Sequence, residues 1–229
     1  MWNKDADSDC TIVSRIGNNE NVATRKLNEY DIFIRDNVAI DIVNQVKKQT
    51  SESLMNLVLN VSPFGLRSFV RGEEQEKPNS VIVCSSAGRG YIPRSEVQKN
   101  QDKIDLYKVS VGYLNPDRAG VNNAADGKSN VTTKVAILNP GEVLTETYIV
   151  LGTFQTLEEA QNYASYIKTK FVRFLVFITL SSMHITRDSF QFVPIQDFHE
   201  SWTDEKLYAK YGISKEEQQY IESLIKPME

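Results

Sequence analysis

The chain is predicted to adopt an α+β fold, with a twisted mixed β-sheet, helices packed on it, and further helical segments near both termini. Short β-rich segments separated by Gly, Pro, Asn and Asp are gathered between residues 60 and 150. Segments with apolar residues three and four positions apart lie towards both ends and directly after the last predicted strand. A hydrophobic content of 41% over 229 residues is typical of a globular protein with one substantial core.

The N-terminal elements follow from turn residues and apolar spacing. Gly17-Asn18-Asn19 is predicted to be a loop or hairpin tip between the short apolar segments 11–13 and 22–23. Apolar residues from Asn37 onward predict a helix ending near Lys47-Lys48. A second short helix is predicted from Ser51, ended by Ser62-Pro63.

The central predicted strands are short and rich in β-branched and aromatic residues. They are SVIVCSS (80–86), GYIP (90–93), YKVSVGY (107–113), TKVAIL (133–138) and ETYIVLG (146–152). The longest irregular segment, from Leu114 to Asn130, is interpreted as a functional or mobile loop because compact domains seldom contain structureless loops of that length.

A long amphipathic helix is predicted after the last strand, over Leu157 to Leu175. Thr156 and Glu159 form a capping-box pattern at its start. Its apolar face contains Tyr and Phe, so we expect those rings to be buried against a sheet. Basic residues in its later turns suit the negative end of a helix dipole, and they are Lys168, Lys170 and Arg173.

A closing helix is predicted around Ser214 to Ile225. The aromatic residues that precede it, Trp202, Tyr208 and Tyr211, are interpreted as packing that docks this helix.

Charge is unevenly distributed along the chain. The net charge is −4, yet residues 60–140 carry 11 basic and 8 acidic side chains, whereas residues 196–229 carry 4 and 8. A basic excess of this size is usual for a solvated face, so charge alone does not establish a polyanion partner.

Several site classes and locations are disfavoured by what the sequence lacks. Cys10 and Cys84 are too few for a disulfide framework or a structural zinc site, and His184 and His199 cannot form a metal centre without carboxylates. Nucleotide-binding, hydrolase and metalloprotease motifs are absent. With neither a signal peptide nor an apolar run of about 20 residues, we expect a cytoplasmic protein without membrane contact.

Five segments carry a resemblance to a known family. They are NEYDIFIRD (28–36), SPFGLRS (62–68), ETYIVLGTF (146–154), YIKTKFVRFLV (166–176) and FVPIQDFHESWTDEKLYAKYGIS (192–214). In this order they resemble the C-terminal target-recognition region of adenine-specific N6 DNA methyltransferases of bacterial restriction-modification systems, a group that includes fused methylase-endonuclease polypeptides. The run from Trp202 to Tyr208 is the most distinctive part, and the opening Trp2 to Asp5 resembles the last strand of such an enzyme's catalytic domain.

The resemblance implies a recognition domain without its own methyltransferase chemistry. The family's catalytic Asn/Asp-Pro-Pro-Tyr/Phe motif does not occur, since Asn115-Pro116 is followed by Asp-Arg and Asn139-Pro140 by Gly-Glu. A glycine-rich S-adenosylmethionine motif is also absent, so this cofactor would belong to the parent enzyme, with or without an endonuclease activity. Implied segments are a connector from the catalytic domain with a helix (1–50), the DNA target-recognition domain (51–200) and a C-terminal helical extension packed on it (201–229).

The implied partners are double-stranded DNA and the catalytic domain of the parent chain. Arginine pairs with guanine edges in the major groove, and lysine or arginine elsewhere meets phosphates. Arg67 in the Phe64-Gly65-Leu66-Arg67 turn and Arg89 between Gly88 and Gly90 are the first candidates, with Tyr91 in the same loop as Arg89. Solvated arginines in tight turns are an equal alternative. Further DNA-binding candidates are Lys108, Arg118, Lys128, Lys134, Thr186, Arg187 and Ser189.

Two other functional classes remain open. A protein-interaction or structural module would use the acidic tail and the aromatic C-terminal region to dock a catalytic subunit without base readout. A hydrolase is the third hypothesis, and a nuclease assay with magnesium would test it.

Overall fold

A computed structural model describes residues 9–16, 19–34, 36–117 and 127–228, and it confirms the α+β class. The strands are β1 (Asp9–Ile16), β2 (Asn19–Lys26), β3 (Ser80–Ser85), β4 (Gly88–Pro93), β5 (Tyr107–Gly112), β6 (Ala136–Leu138), β7 (Glu142–Leu144) and β8 (Tyr148–Phe154). The helices are α1 (Asn37–Gln49), α2 (Leu157–Lys168), α3 (Lys170–Phe177), α4 (Asp204–Tyr211) and α5 (Lys215–Leu224).

The strands form three small sheets in the described part of the chain, so the prediction of one twisted sheet is wrong. One sheet is the β1–β2 hairpin, and the others have the orders β4-β3-β7 and β6-β5-β8. The β3–β7 pair is parallel and the other pairs are antiparallel. The three-residue strand β7 was not predicted from the sequence. It follows the Asn139-Pro140-Gly141 turn and pairs with β3 rather than with β6, the strand that precedes it in the sequence. Because β6 and β7 pair with different strands, they belong to two different sheets.

The N-terminal hairpin and helix α1 match the prediction. Strand β1 pairs with β2 from Asp9 to Ile16, while residues 17 and 18 of the predicted tip lie outside the described residues. The Asn37 side chain, at the start of α1, donates to the carbonyl oxygens of Ile12 (2.9 Å) and Asn21 (3.2 Å). These bonds dock the hairpin on α1.

The second helix predicted from Ser51 is reduced to a single 3₁₀ turn at Leu54–Asn56. The Leu54 amide donates to the Val193 carbonyl oxygen at 2.7 Å, and Ser53 forms a β-bridge with Pro194. Tertiary pairing with the 190s segment thus takes the place of the helix that apolar spacing predicts.

The long helix predicted over Leu157 to Leu175 is two helices, α2 and α3, with a break at Thr169. The backbone of Thr169 is extended there (φ −59°, ψ 149°), and its hydroxyl accepts from the Val172 amide at 3.2 Å, which starts a new helix. The capping box of Thr156 with Glu159 is confirmed. The expected burial of the rings is confirmed for Tyr163, Phe171 and Phe174.

Two apolar cores lie on different parts of the fold. The main core unites α1, α2 and α3, the β5–β8 pair and the C-terminal helices. It contains Val43, Tyr166 and Leu207, one residue from each of the three predicted segments, so the boundaries at 50/51 and 200/201 do not separate independent cores. A smaller core lies under the β4-β3-β7 sheet and includes Phe64, Leu66, Val81, Val83, Val143 and Val150.

The ends of the long loop are well bonded. Asp117 accepts hydrogen bonds from the Ser129 hydroxyl and the Val131 amide, both at 2.6 Å. Residues 118–126, the middle of the loop, lie outside the described residues. Among the residues that are described, no helix combines the length and apolar character that crossing a bilayer requires.

Candidate nucleic-acid interface

Two backbone segments cross at a pair of glycines on the smaller core. The amides of Glu73 and Tyr91 each donate to the other residue's carbonyl oxygen at 2.8 Å. A Cβ on Gly72 would lie 2.6 Å from the Gly90 carbonyl carbon, and a Cβ on Gly90 would collide with the Arg71 carbonyl oxygen. The segment that contains Arg71 lies directly against strand β4, and for this reason only glycine fits at both positions.

A braced turn precedes this crossing. The Val70 amide donates to the Arg67 carbonyl oxygen at 3.1 Å and closes a turn over Ser68 and Phe69. The Glu146 carboxylate accepts from the Ser68 amide at 3.0 Å and lies 3.2 Å from the Arg67 guanidinium.

Arg71 also binds this turn. Its guanidinium donates to the carbonyl oxygens of Ser68 and Val70. Leu66 and Val70, at the two ends, pack on the smaller core. We refer to Arg67–Val70 as the arginine turn.

Strand β4 presents Arg89 and Tyr91 on one face, since residues two apart in a strand point the same way. The Arg89 guanidinium lies 3.1 Å from the carboxylate of Glu142, which is buried and also accepts from the Asn139 amide at 2.8 Å. Tyr91 is half-buried. We call the set Arg67, Phe69, Arg71, Arg89 and Tyr91 the arginine surface.

The first two predicted arginines keep most of their hydrogen-bonding capacity. The side chains of Arg67 and Arg89 are 69% and 61% exposed. Each guanidinium has five N–H donors and is seen paired with one carboxylate, so other donors face solvent. Such groups bind phosphate oxygens or guanine edges in bidentate geometry.

Cys84 lies opposite Arg89 in the β3–β4 pairing and is half-buried. Burial raises the pKa of its thiol, and nearby Arg89 opposes that shift only in part. A thiol of raised pKa is a weaker nucleophile at neutral pH than an ordinary cysteine.

Lys108 does not lie on this surface, so its prediction as a phosphate contact is wrong. The residue is fully buried, and its ammonium donates to the carbonyl oxygens of Ile104 at 2.5 Å and Lys103 at 3.3 Å. Burial lowers the pKa of Lys108 to about 8, while nearby Glu142 and Asp105 act in the opposite direction. A lysine occupied in this way has no path to a phosphate.

The predicted DNA contacts Thr186, Arg187 and Ser189 all form hydrogen bonds within the chain. Ser189 is buried, and its hydroxyl accepts from the Thr186 amide at 3.1 Å in a reciprocal cap, so its prediction as a DNA contact is wrong. Arg187 donates to the Met55 carbonyl oxygen at 2.7 Å. Thr186 and Arg187 are half-buried, and for them DNA contact stays a prediction.

The remaining basic candidates are dispersed. Lys134 is exposed just before β6. Lys128 is half-buried beside Ser129, which forms a bridge with Ile225 after helix α5. Arg118 lies outside the described residues.

Two members of the arginine surface were missed at the sequence level. Arg71 precedes Gly72 and so shows the arginine–glycine adjacency that also marks Arg89. Phe69 gave no signal, because an apolar residue between Ser68 and Val70 is equally compatible with burial in a core.

Comparison with known proteins adds no further constraint. No family model matches the chain, and no curated protein or solved structure matches it either. Within the described ranges, no three His, Cys, Asp or Glu side chains are grouped so that they could hold a metal ion. Function therefore has to be inferred from this chain's own residues and their geometry.

Proposed function

We propose that this chain is the DNA target-recognition domain of an adenine-N6 DNA methyltransferase of a restriction-modification system. It binds duplex DNA and positions it for methylation by a catalytic domain that this chain does not contain. The observation that carries the proposal is the arginine surface, where the segments of Arg71 and Arg89 cross at two glycines and Arg67 lies in the turn just before this crossing, in the basic middle of the chain.

The arrangement suits a polyanion for a physical reason. Glu142 and Glu146 hold two of the guanidiniums in place before a ligand arrives, which reduces the side-chain entropy lost on binding. The close backbone approach at Gly72 and Gly90 joins the two arginine-bearing segments. Phosphate contacts from such a surface set the register of DNA, and any one arginine that reaches a guanine reads sequence.

The proposal assigns the chemistry to the parent enzyme. S-adenosylmethionine and the adenine-binding motif belong to the missing catalytic domain, so the isolated chain transfers no methyl group. A cytoplasmic location, where a bacterial chromosome is accessible, is part of the same proposal.

Duplex binding by the intact 229-residue chain is the direct test. A variant with Arg67→Ala, Arg71→Ala and Arg89→Ala should bind a fluorescent duplex at least tenfold more weakly. Its plot of log affinity against log salt, between about 50 and 200 mM, should be shallower by about 0.9 for each phosphate that the variant no longer neutralises. Fluorescence anisotropy measures both quantities.

A charge-matched control variant carries Arg15→Ala, Lys48→Ala and Lys215→Ala, which removes three exposed cations from other elements. Arg15 is 75% exposed and paired with Glu20, so it resembles Arg67 in its surroundings. We expect wild-type affinity from this control. Equal affinity of the two triple variants, or no duplex binding by the wild type at the lowest salt, would contradict the proposal.

One observation favours docking of a protein partner as a second candidate function. Backbone hydrogen bonds join the segments at Tyr113–Asn115 and Met183–Ile185, and they leave Leu114 and Met183 exposed beside the stacked rings of Tyr113 and His184. The aromatic residues of the C-terminal region, in contrast, are buried in this chain's own core. Co-purification of a partner that is lost on Leu114→Ser and Met183→Ser, without duplex retention at low salt, would favour this function.

A further inference from the structure

We propose that Phe69 is a base-stacking wedge, which inserts its ring at a base-pair step of the DNA held by the arginine surface. The inference rests on the proposed function and goes beyond it, because it assigns an apolar contact with bases to a surface otherwise described by charge.

The arginine turn holds Phe69 in a fixed position. The turn is closed by the hydrogen bond from the Val70 amide to the Arg67 carbonyl oxygen. Glu146 binds it through the Ser68 amide and pairs with Arg67, and the Arg71 guanidinium binds its Ser68 and Val70 carbonyl oxygens. The ring is thus carried by a turn that loses little conformational entropy when a ligand binds.

The ring points away from the protein although its neighbours point inward. Leu66 is buried and Val70 is partly buried in the smaller core, whereas Phe69 is 74% exposed. It is the most exposed large hydrophobic residue in the described ranges. Single exposed apolar side chains are common. An aromatic ring at the corner of a turn that Glu146 and Arg71 both bind is a more specific arrangement.

The charges around Phe69 determine which apolar partner fits. Arg67 and Arg71 flank it in sequence; the Arg71 guanidinium binds the turn that carries the ring, and the Arg67 guanidinium pairs with Glu146, which accepts from the turn's Ser68 amide. A hydrophobic protein groove would have to desolvate these cations. A DNA groove instead offers phosphates for the arginines and base faces for the ring. Phenylalanine is one of the side chains that architectural proteins wedge between base steps.

The expected energetic signature separates stacking from charge. Stacking of one base on an aromatic side chain corresponds to about 5-fold to 150-fold in affinity. It neutralises no phosphate, so it leaves the salt dependence unchanged. Phe69→Ala should therefore weaken duplex binding within that range while the slope of log affinity against log salt stays at the wild-type value.

The experiment uses the whole chain with a mixed-sequence duplex in which 5-iodouracil replaces thymine. Anisotropy compares wild type, Phe69→Ala, Phe69→Trp and the control Phe33→Ala, which removes an exposed phenylalanine outside the arginine surface. Ultraviolet cross-linking followed by peptide mapping then locates the contacts with bases. Circular dichroism establishes that each variant is folded.

Support consists of an affinity loss in Phe69→Ala at unchanged salt slope, recovery in Phe69→Trp, and a base cross-link at Phe69. Wild-type affinity of Phe69→Ala, or the absence of that cross-link, would overturn the wedge while the DNA-binding proposal stands. A wild type that binds no duplex would overturn both proposals, so the two failures are distinguishable.

Discussion

Two basic side chains, Lys108 and Arg173, lie in the interior of the protein. The sequence had instead predicted Lys108 on the surface and Arg173 at a helix end. Arg173 donates from Nε to the Lys168 carbonyl oxygen at 3.1 Å, and burial lowers its pKa to about 10. Lys168 is the last residue of α2, so Arg173 does bind the negative end of a helix, although that helix is not its own. Both cations donate to backbone carbonyl oxygens, while the buried Nη2 atom of Arg173 has no hydrogen-bond partner among the described residues.

The burial of Lys108 predicts an unusual dependence of stability on pH. Its pKa is about 8 in the folded protein, below the ordinary lysine value of 10.5. Between these values the unfolded chain binds more protons than the folded chain, so stability rises with pH across this window. The difference in unfolding free energy, wild type minus Lys108→Met, should increase by about 1 to 3 kcal/mol from pH 7.5 to pH 10.

Urea denaturation at several pH values measures this difference. The subtraction removes the tyrosines, several of which also have raised pKa values. Lys103→Met is the matched control, because Lys103 is only partly buried and lies beside Asp102. A difference for Lys108→Met that stays constant with pH would mean that the folded protein does not perturb this ammonium.

At the scale of elements, the start of α3 is held by a residue from a different helix. The Asp204 carboxylate, in the first turn of α4, accepts from the amides of Lys170 at 3.0 Å and Phe171 at 2.8 Å. Thr169 supplies the local cap. The break in the predicted long helix frees the first amides of α3, and Asp204 of α4 accepts hydrogen bonds from them. The start of α3 therefore depends on α4.

We expect Asp204→Ala to lower the free energy of unfolding by about 2 kcal/mol or more, since two buried amides lose their acceptor. Glu205→Ala is the matched control, because Glu205 is the next acidic residue of the same turn and is exposed. Its loss should be below about 1 kcal/mol. Urea denaturation followed by circular dichroism measures both, and similar losses would show that α3 does not depend on α4 for its cap.

At the scale of the whole molecule, the N- and C-terminal helices belong to one core. The Tyr220 hydroxyl of α5 donates to the Asp36 carboxylate at 2.8 Å, and Asp36 caps α1. Phe171 of α3 stacks on Tyr211 of α4, with ring centroids 5.4 Å apart. The C-terminal segment therefore contributes side chains to the main core and is part of the main fold.

Deletion of residues 201–229 should abolish cooperative unfolding, because it removes buried side chains that no other part of the chain replaces. They include Trp202, Leu207, Tyr208, Tyr211, Ile213 and Ile221. Near-ultraviolet circular dichroism and urea denaturation of residues 1–200 provide the measurement. A full-length control with exposed Lys215, Glu216 and Gln219 changed to alanine should unfold as the wild type does. Cooperative unfolding of the shortened chain would instead support 201–229 as a separable extension.

Much of the fold was predictable where local interactions decide structure. The capping residues Thr156 and Ser214, the hairpin β1–β2 and most of the strands follow from turn chemistry and apolar spacing. The site was predictable only in part. A glycine two residues before Arg67 and glycines on both sides of Arg89 identified these two residues, but the burial of Lys108 depends on which strand faces lie inward.

By itself, the sequence determined the α+β class, the sites where α1, α2 and α5 begin, and the exclusion of common catalytic motifs. Tertiary structure alone decided that β7 pairs with β3, that Asp204 caps α3, and that the segments of Arg71 and Arg89 cross at Gly72 and Gly90. Caps and apolar spacing act over three or four residues and are therefore visible in the sequence. The three tertiary features depend on contacts between residues far apart in the chain, and these contacts form only when the cores pack.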